Sequence, residues 1–207
     1  MNSDPRQDLI TASRQFYQLG WMAGTAGNLS ARVDDGSFWI TASGKQKGKL
    51  TEEDFVRVSL QGEVIENPNF KNRPSAETSI HQAVYSLFPD AKACYHVHSV
   101  EAKLVTNFTE GDHLNLPPIE MLKGLGVWEE HPKVVMPVFK NHLEVSKIAE
   151  EIGDRFKQSK PDVPALLIRN HGVTVWANSA FDAENYIELT EYIFRYIVAA
   201  RQVGVNH

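Results

Sequence analysis

The chain has 207 residues, of which 42% are hydrophobic and 23% charged, and its formal net charge is −5. This composition is typical of a soluble globular protein and, without a long basic run, argues against generic binding to nucleic acid or to anionic membranes. No segment approaches the ~18 consecutive apolar residues of a membrane span, and the N-terminus lacks the features of a signal peptide. Cys94 is the only cysteine, which fits a reducing compartment. We therefore expect a cytoplasmic protein with one domain over residues 1–207.

The hydrophobic pattern predicts helices interleaved with strands. The first helix begins at Asp4-Pro5, with Asp as the N-cap, and ends near Gly20. A glycine-rich turn region follows at 24–30. Later helices are predicted at 74–88, capped by Ser75, and at 143–156 and 180–202; strands are predicted at 37–43, 55–60, 62–66, 93–99, 134–139, 164–172 and 172–177. Because several strands are joined as hairpins, we expect an α/β fold with a mixed, mostly antiparallel sheet between helices.

Three histidines are candidate metal ligands. His96 and His98 are two residues apart in a predicted strand, so both side chains point to the same face and could chelate one zinc ion at ~2.0–2.1 Å. This motif alone is weak, because polar residues also occur at strand ends. His171 lies where the apolar run of ALLIRNHG ends, at a strand terminus; the alternative is a turn histidine bonded to backbone. Three histidines with an open fourth position are typical of a catalytic zinc site.

Two glutamates are candidate acid/base groups. Glu77 shares a predicted helix face with Ile80 and Val84, where a carboxylate is costly unless it is paired, bound to metal or catalytic. The alternative is a first-turn glutamate that the helix dipole favours. Glu120 and Lys123 could form an ordinary surface ion pair, or act as general acid/base and as a substrate contact. The residues alone leave these alternatives open.

Several short segments rich in small residues and hydrogen-bond donors could bind phosphate. These are Gly24–Asn28, Thr41–Gly44 and Pro74-Ser75, with backbone N–H groups suited to anions. Each segment could also be an ordinary loop, and no Walker or dinucleotide-binding fingerprint is present.

Taken in order, the motifs GTAGNLS, ITASG, PSAETSIH, HVHS and IRNHG resemble the class II aldolase/adducin family over about residues 8–200. The resemblance implies a three-layer α/β/α fold and a tetramer with one zinc per subunit. It implies His96, His98 and His171 as the zinc ligands. The family acts on sugar phosphates, so the resemblance also implies phosphate contacts, namely Asn28, Ser43, Gly44 and Ser75.

The segment IEMLKG (119–124) resembles the dehydratases of this family. That similarity implies zinc-dependent dehydration of a ketose 1-phosphate that carries a methylthio group, in methionine salvage, with Glu120 as acid/base and Lys123 beside the substrate. The first alternative is a sugar-phosphate aldolase in which Glu77 is the acid/base. The second, from another class, is a non-catalytic adducin-like binding module.

Overall fold

The structure, a computed structural model, describes residues 4–205. Its α-helices in this range are α1 (Pro5–Gln18), α2 (Thr78–Leu87), α3 (Val100–Val105), α4 (Val145–Gln158) and α5 (Ala180–Gln202). Short 3₁₀ helices occur at Lys47–Lys49, Glu52–Asp54, Thr106–Phe108 and Glu120–Leu125. The Asp4 carboxylate accepts from Arg6 N at 3.0 Å, as expected of an N-cap. Among the described helices, none combines the length and the apolar character that spanning a membrane requires.

The strands form one mixed sheet. They are β1 (Asn28–Arg32), β2 (Phe38–Thr41), β3 (Phe55–Val58), β4 (Val64–Glu66), β5 (Ala93–Val97), β6 (His113–Asn115), β7 (Val135–Phe139), β8 (Ala165–Ile168) and β9 (Gly172–Ala177). Their order is β4-β3-β2-β1-β5-β9-β8-β7-β6. Neighbouring strands are antiparallel except for β7 and β8, which are parallel. The predicted mixed, mostly antiparallel sheet is confirmed.

The sheet separates two apolar cores. Helices α1, α3 and α5 pack on one face, and α2 and α4 pack on the other. Successive residues of β5 alternate between the cores, with Tyr95 in the first and Cys94 in the second, as the two-residue period of a strand requires. This arrangement confirms the three-layer α/β/α fold.

Helix α2 begins later than the sequence pattern predicts. Pro74 forms an isolated antiparallel bridge with Ala42, which keeps the chain extended at this point, and the helix starts only at Thr78. The prediction that Ser75 caps this helix is therefore wrong. Ser75 Oγ instead accepts from the backbone N–H of Glu77 at 3.2 Å, within the turn that precedes the helix. Glu77 is the N-cap residue rather than part of the first turn.

Strand β1 lies partly in the segment that the sequence predicts as turns. It is only five residues long, yet it pairs with β2 on one side and β5 on the other. Its Asn28 and Ser30 are polar but buried, so hydrophobic alternation does not reveal the strand. The strand β6 is missed for a different reason, because it has only three residues and only Leu114 in it is buried.

Candidate metal centre and adjoining cavity

The three candidate histidines converge where two strands meet. His96 lies in β5, His98 follows the end of that strand, and His171 lies in the turn between β8 and β9. Because β5 and β9 pair antiparallel, with Val97 opposite Val173, the end of β5 lies beside the start of β9. The turn therefore brings His171 next to the HxH pair.

Two glycines allow the backbone to approach this strand end closely. A Cβ atom on Gly172 would lie 2.1 Å from the carbonyl oxygen of Val97, and one on Gly27 would lie 2.7 Å from the carbonyl oxygen of His96. Gly27 also has φ of 76°, in the left-handed region that favours glycine. Gly27 of the GTAGN motif and Gly172 of the NHG motif are thus required by the packing around the histidines.

Glu77 joins the histidines as a fourth possible ligand. Its Oε1 lies 2.8 Å from His171 Nε2 and 3.6 Å from His96 Nε2. The Nε2 atoms of His96 and His98 are 2.8 Å apart. One ligand atom from each of the four residues lies within 4.8 Å of the other three. The turn before α2 therefore directs the Glu77 carboxylate into the histidine group instead of capping the helix.

The electrostatics of the group suit a divalent cation. Burial lowers the pKa of His96 to about 4 and that of His98 to about 2, so both imidazoles are neutral at pH 7. Burial opposes ionisation of Glu77, but His96, His171 and His98 outweigh it and hold the pKa of this carboxyl below its usual value. Neutral imidazole nitrogens with one carboxylate are a donor set that zinc and other first-row divalent metals bind. The residues present therefore fit a metal ion.

A buried hydrogen-bond chain connects Glu77 with the core. Asn28 Nδ2 donates to Glu77 Oε2, and Asn28 Oδ1 lies 2.5 Å from His81 Nε2. His81 Nδ1 is 2.6 Å from Ser30 Oγ, which is 2.8 Å from the Tyr85 hydroxyl. Burial lowers the pKa of His81 to about 3, so the ring is neutral. Since an amide oxygen only accepts, His81 donates from Nε2, and the chain fixes the orientation of Asn28 and of the carboxylate beside it.

A cavity of about 350 Å³ opens beside the histidine group and is lined by Glu77 and His98. Its wall also contains the residues that the resemblance assigns to phosphate, namely Asn28, Ser43, Gly44 and Ser75. The fold thus brings these residues from separate motifs into one cavity. Phosphate binding by them stays a prediction.

Lys47 lines the same cavity, although no sequence motif indicates it. Its side chain is buried, and Nζ donates to the carbonyl oxygens of Thr25 at 2.7 Å and Lys45 at 3.0 Å. Burial lowers its pKa to about 8, although the charge of Glu77 acts in the opposite direction. Within GKQKGK no local pattern distinguishes Lys47 from Lys45 or Lys49.

Glu120 and Lys123 are not part of the histidine group. They lie on the 3₁₀ helix Glu120–Leu125 and form an ion pair of 2.9 Å, with 80% of the Glu120 side chain exposed. A second cavity of about 300 Å³ beside them shares no lining residue with the first. The structure therefore contains the surface ion pair that the spacing predicted as one alternative. The catalytic role of Glu120 stays a prediction.

Comparison with curated proteins gives full-length relatives. The chain is 68% identical over 201 residues to a protein of Microcystis aeruginosa named methylthioribulose-1-phosphate dehydratase, covering 97% of this chain and 98% of that protein. It is 44% identical over 206 residues to a protein of the same name from Leptospira biflexa, covering 95% and 97% of the two chains.

Solved structures have the same fold. YgbL from Klebsiella pneumoniae matches with a TM-score of 0.80 and 27% identity over 95% of this chain and 89% of that one. L-fuculose-1-phosphate aldolase from Thermus thermophilus matches with a TM-score of 0.76 and 23% identity over 97% of both chains, a likeness of fold alone. The sequence profile of the family described as Class II Aldolase and Adducin N-terminal domain matches residues 7–198, and the chain belongs to that family.

Proposed function

We propose that the protein dehydrates 5-methylthioribulose 1-phosphate to 2,3-diketo-5-methylthiopentyl 1-phosphate, a step of methionine salvage. The observation that carries this proposal is the 68% identity, over nearly the whole of both chains, to the Microcystis aeruginosa dehydratase. The group formed by Glu77, His96, His98 and His171 supports it, because it could hold the divalent cofactor. We take that cofactor to be zinc, with one ion per subunit.

The reaction removes the proton on C3 and the hydroxyl group on C4 of the substrate as water. His96, His98 and His171 would hold a divalent ion, which when bound would supply Lewis-acid stabilisation of negative charge on the substrate oxygens. Glu120 takes the C3 proton and gives a proton to the departing hydroxyl group. The resulting enol tautomerises to the diketone. Lys123, whose ammonium group lies 2.9 Å from the Glu120 carboxylate, contacts the substrate.

The second candidate is a sugar-phosphate aldolase with Glu77 as acid/base. The observation that favours it is the position of the carboxylates. Glu77 lies 2.8 Å from His171 Nε2, whereas Glu120 makes no described ion pair or hydrogen bond with any residue of the histidine group. In this reaction Glu77 transfers the proton while a carbon–carbon bond of the sugar phosphate breaks.

An assay of zinc-loaded protein with 5-methylthioribulose 1-phosphate separates the two activities. Dehydration gives a diketone that retains all the carbon atoms, and aldol cleavage gives two smaller carbonyl compounds, so mass spectrometry of the products distinguishes them. Absence of the diketone would refute the dehydratase. Protein that retains no divalent metal and neither dehydrates nor cleaves this sugar phosphate would support the non-catalytic binding module.

Paired substitutions identify the acid/base. We expect Glu120→Gln to abolish dehydration while zinc content persists, because the substitution removes the proton-transfer group but none of the four possible ligands. Glu77→Gln should lower zinc affinity, because it removes the carboxylate from that group. Metal content and turnover are measured on both variants. Retained activity in Glu120→Gln would contradict its role and favour Glu77.

We further propose that the enzyme is a cytoplasmic homotetramer. The chain mass is 23.3 kDa, so light scattering in solution should give four times this value. A monomeric mass at working concentrations would contradict the proposal.

A further inference from the structure

Lys47 is a buried cation whose described hydrogen bonds go only to neutral groups. Its side chain is 2% exposed, and its ammonium group donates to the backbone carbonyls of Thr25 and Lys45. None of the ion pairs found within residues 4–205 includes Lys47. The neighbouring Lys45 differs, since it pairs with Asp54 at 2.8 Å. A buried charge of this kind is unfavourable unless an opposite charge compensates it.

A purely structural role does not account for the charge of Lys47. Its two hydrogen bonds join the loop at Thr25 to the loop at Lys45, and a neutral amide side chain could join the same carbonyls. Burial acts against the ammonium form, as the lowered pKa of about 8 indicates. The charge of Glu77 favours the ammonium form, but Glu77 forms no described ion pair with Lys47. A charged lysine at this position therefore suggests a closer anionic partner.

The cavity beside the histidine group provides the place for that anion. Lys47 is the only lysine or arginine among the described residues that line it. The other walls present the amide of Asn28 and the hydroxyl groups of Ser43 and Ser75, and the Glu77 carboxylate lies on the side of the histidine group. An ammonium group has three N–H bonds, and two of them are used by the carbonyl oxygens of Thr25 and Lys45. The third remains for a ligand.

We propose that Lys47 binds the phosphate monoester of the substrate and makes the enzyme selective for phosphorylated sugars. A phosphate dianion in this cavity compensates the buried ammonium group, and the buried ammonium group in turn strengthens its attraction for phosphate because little water screens it. The proposal rests on the proposed function for the identity of the sugar. Binding of phosphate itself can be tested without turnover.

The test is calorimetric titration of the zinc-loaded protein with inorganic phosphate. We expect Lys47→Met to weaken phosphate binding by about 10- to 100-fold, since it removes a charge-assisted hydrogen bond. Lys49→Met is the matched control, because it removes the same charge two residues away from an exposed position outside the cavity. It should change affinity by less than about twofold. Wild-type affinity in Lys47→Met, as would result if phosphate bound only to the metal, overturns the proposal.

Lys47→Gln covers the case in which Lys47→Met does not fold, because its amide can still donate to the carbonyls of Thr25 and Lys45. With 5-methylthioribulose 1-phosphate as the substrate, the substitution Lys47→Gln should raise KM by the same factor by which it weakens phosphate binding. It should change kcat by a smaller factor. A general loosening of the two loops would instead lower kcat and the melting temperature together.

The unphosphorylated sugar distinguishes the subsite from the reaction. Binding of 5-methylthioribulose should be equal in wild type and in the neutral variant, and unequal binding would contradict a phosphate-specific role. If the protein does not dehydrate the phosphorylated sugar while phosphate binding still depends on Lys47, the proposed function fails and the phosphate subsite stands.

Discussion

At the scale of single residues, His96 depends on a partner across the sheet. Thr174 is its Cα partner on β9, and Thr174 Oγ1 lies 2.8 Å from His96 Nδ1. When Nδ1 donates to this hydroxyl group, Nε2 is unprotonated and faces His98 and Glu77. A hydrogen bond of this kind holds the ring and its tautomer in the form that binds metal.

Thr174→Val should therefore weaken zinc binding. Valine has nearly the same shape as threonine but cannot accept the hydrogen bond, so we expect zinc affinity to fall by about 10- to 100-fold. Competition with a chromophoric chelator measures the affinity. Thr174→Ser, which keeps the hydroxyl group, should stay close to wild type. Equal zinc affinity in the valine variant would show that the hydroxyl group does not orient His96.

The sequence reveals the ligands better than the residues that support them. His96 and His98 share a face because of their two-residue spacing, which is a local property of a strand. Thr174 and Lys47 look ordinary in the sequence, and their importance depends on which segments pack together. Thr174 faces His96 because β5 pairs with β9, and Lys47 is buried where its segment packs against the loop at Thr25 and against α1. Neither pairing can be read from local pattern.

At the scale of elements, the close pairing of the end of β5 with the start of β9 determines how near the histidines lie to one another. Gly172 is the first residue of β9 and follows His171 directly. A Cβ at this position would lie 2.1 Å from the Val97 carbonyl oxygen and 3.1 Å from His98 Cδ2. The first contact is with backbone, which cannot rotate away as a side chain can, so the two strands would have to separate.

Gly172→Ala should consequently lose metal binding and stability together. We expect a decrease of about 1–3 kcal/mol in the free energy of unfolding from overpacking, and a fall in zinc affinity as His98 and His171 move apart. Urea unfolding of metal-free protein and chelator competition measure the two effects separately. Gly153→Ala in α4 is the control, because no atom lies within 4 Å of its Cβ position and alanine favours a helix by roughly 0.5–1 kcal/mol. Unchanged unfolding of Gly172→Ala would contradict the close approach.

Elements with clear periodicity were predicted and elements defined by pairing were not. The helices at 143–156 and 180–202 have apolar stripes and occur as α4 and α5. The pattern predicts the start of α2 four residues too early, at 74 instead of Thr78, because the bridge between Pro74 and Ala42 competes with helix formation. That difference matters for the site, since it moves Glu77 from the helix into the turn that faces the histidines.

At the scale of the whole molecule, one buried carboxyl group affects the free energy of unfolding. This group is Glu191, in the layer formed by α1, α3 and α5. It is 1% exposed, and within the described residues neither of its side-chain oxygens has a hydrogen-bond partner that meets normal geometry. Burial raises its pKa to about 8; the hydroxyl of Ser99 and the charge of Arg195 oppose the rise, and Glu101 adds to it. In the folded protein the carboxyl group is thus mostly protonated at neutral pH.

This burial makes global stability depend on pH. In the unfolded chain Glu191 ionises near the usual glutamate pKa of 4.5, and in the folded protein only near pH 8. Between these values the unfolded state loses the proton first, so the free energy of unfolding falls as pH rises, by up to about 1.4 kcal/mol per pH unit. Below 4.5 both states are protonated and above 8 both are ionised, so the contribution is constant outside this window.

Glu191→Gln removes the titrating group while keeping a neutral polar side chain of similar size. We expect its free energy of unfolding to be close to that of wild type at pH 4.5 and to exceed it by a few kcal/mol at pH 8. Urea unfolding at half-unit steps across this range, on metal-free protein, measures the difference. Glu150→Gln, at an exposed position of α4, is the matched control and should follow the wild-type curve at every pH, because water screens an exposed charge. The prediction is wrong if the free energies of unfolding of wild type and Glu191→Gln run parallel from pH 4.5 to 8. Glu191 would then have an ordinary pKa in the folded protein, and its burial would not make the free energy of unfolding depend on pH.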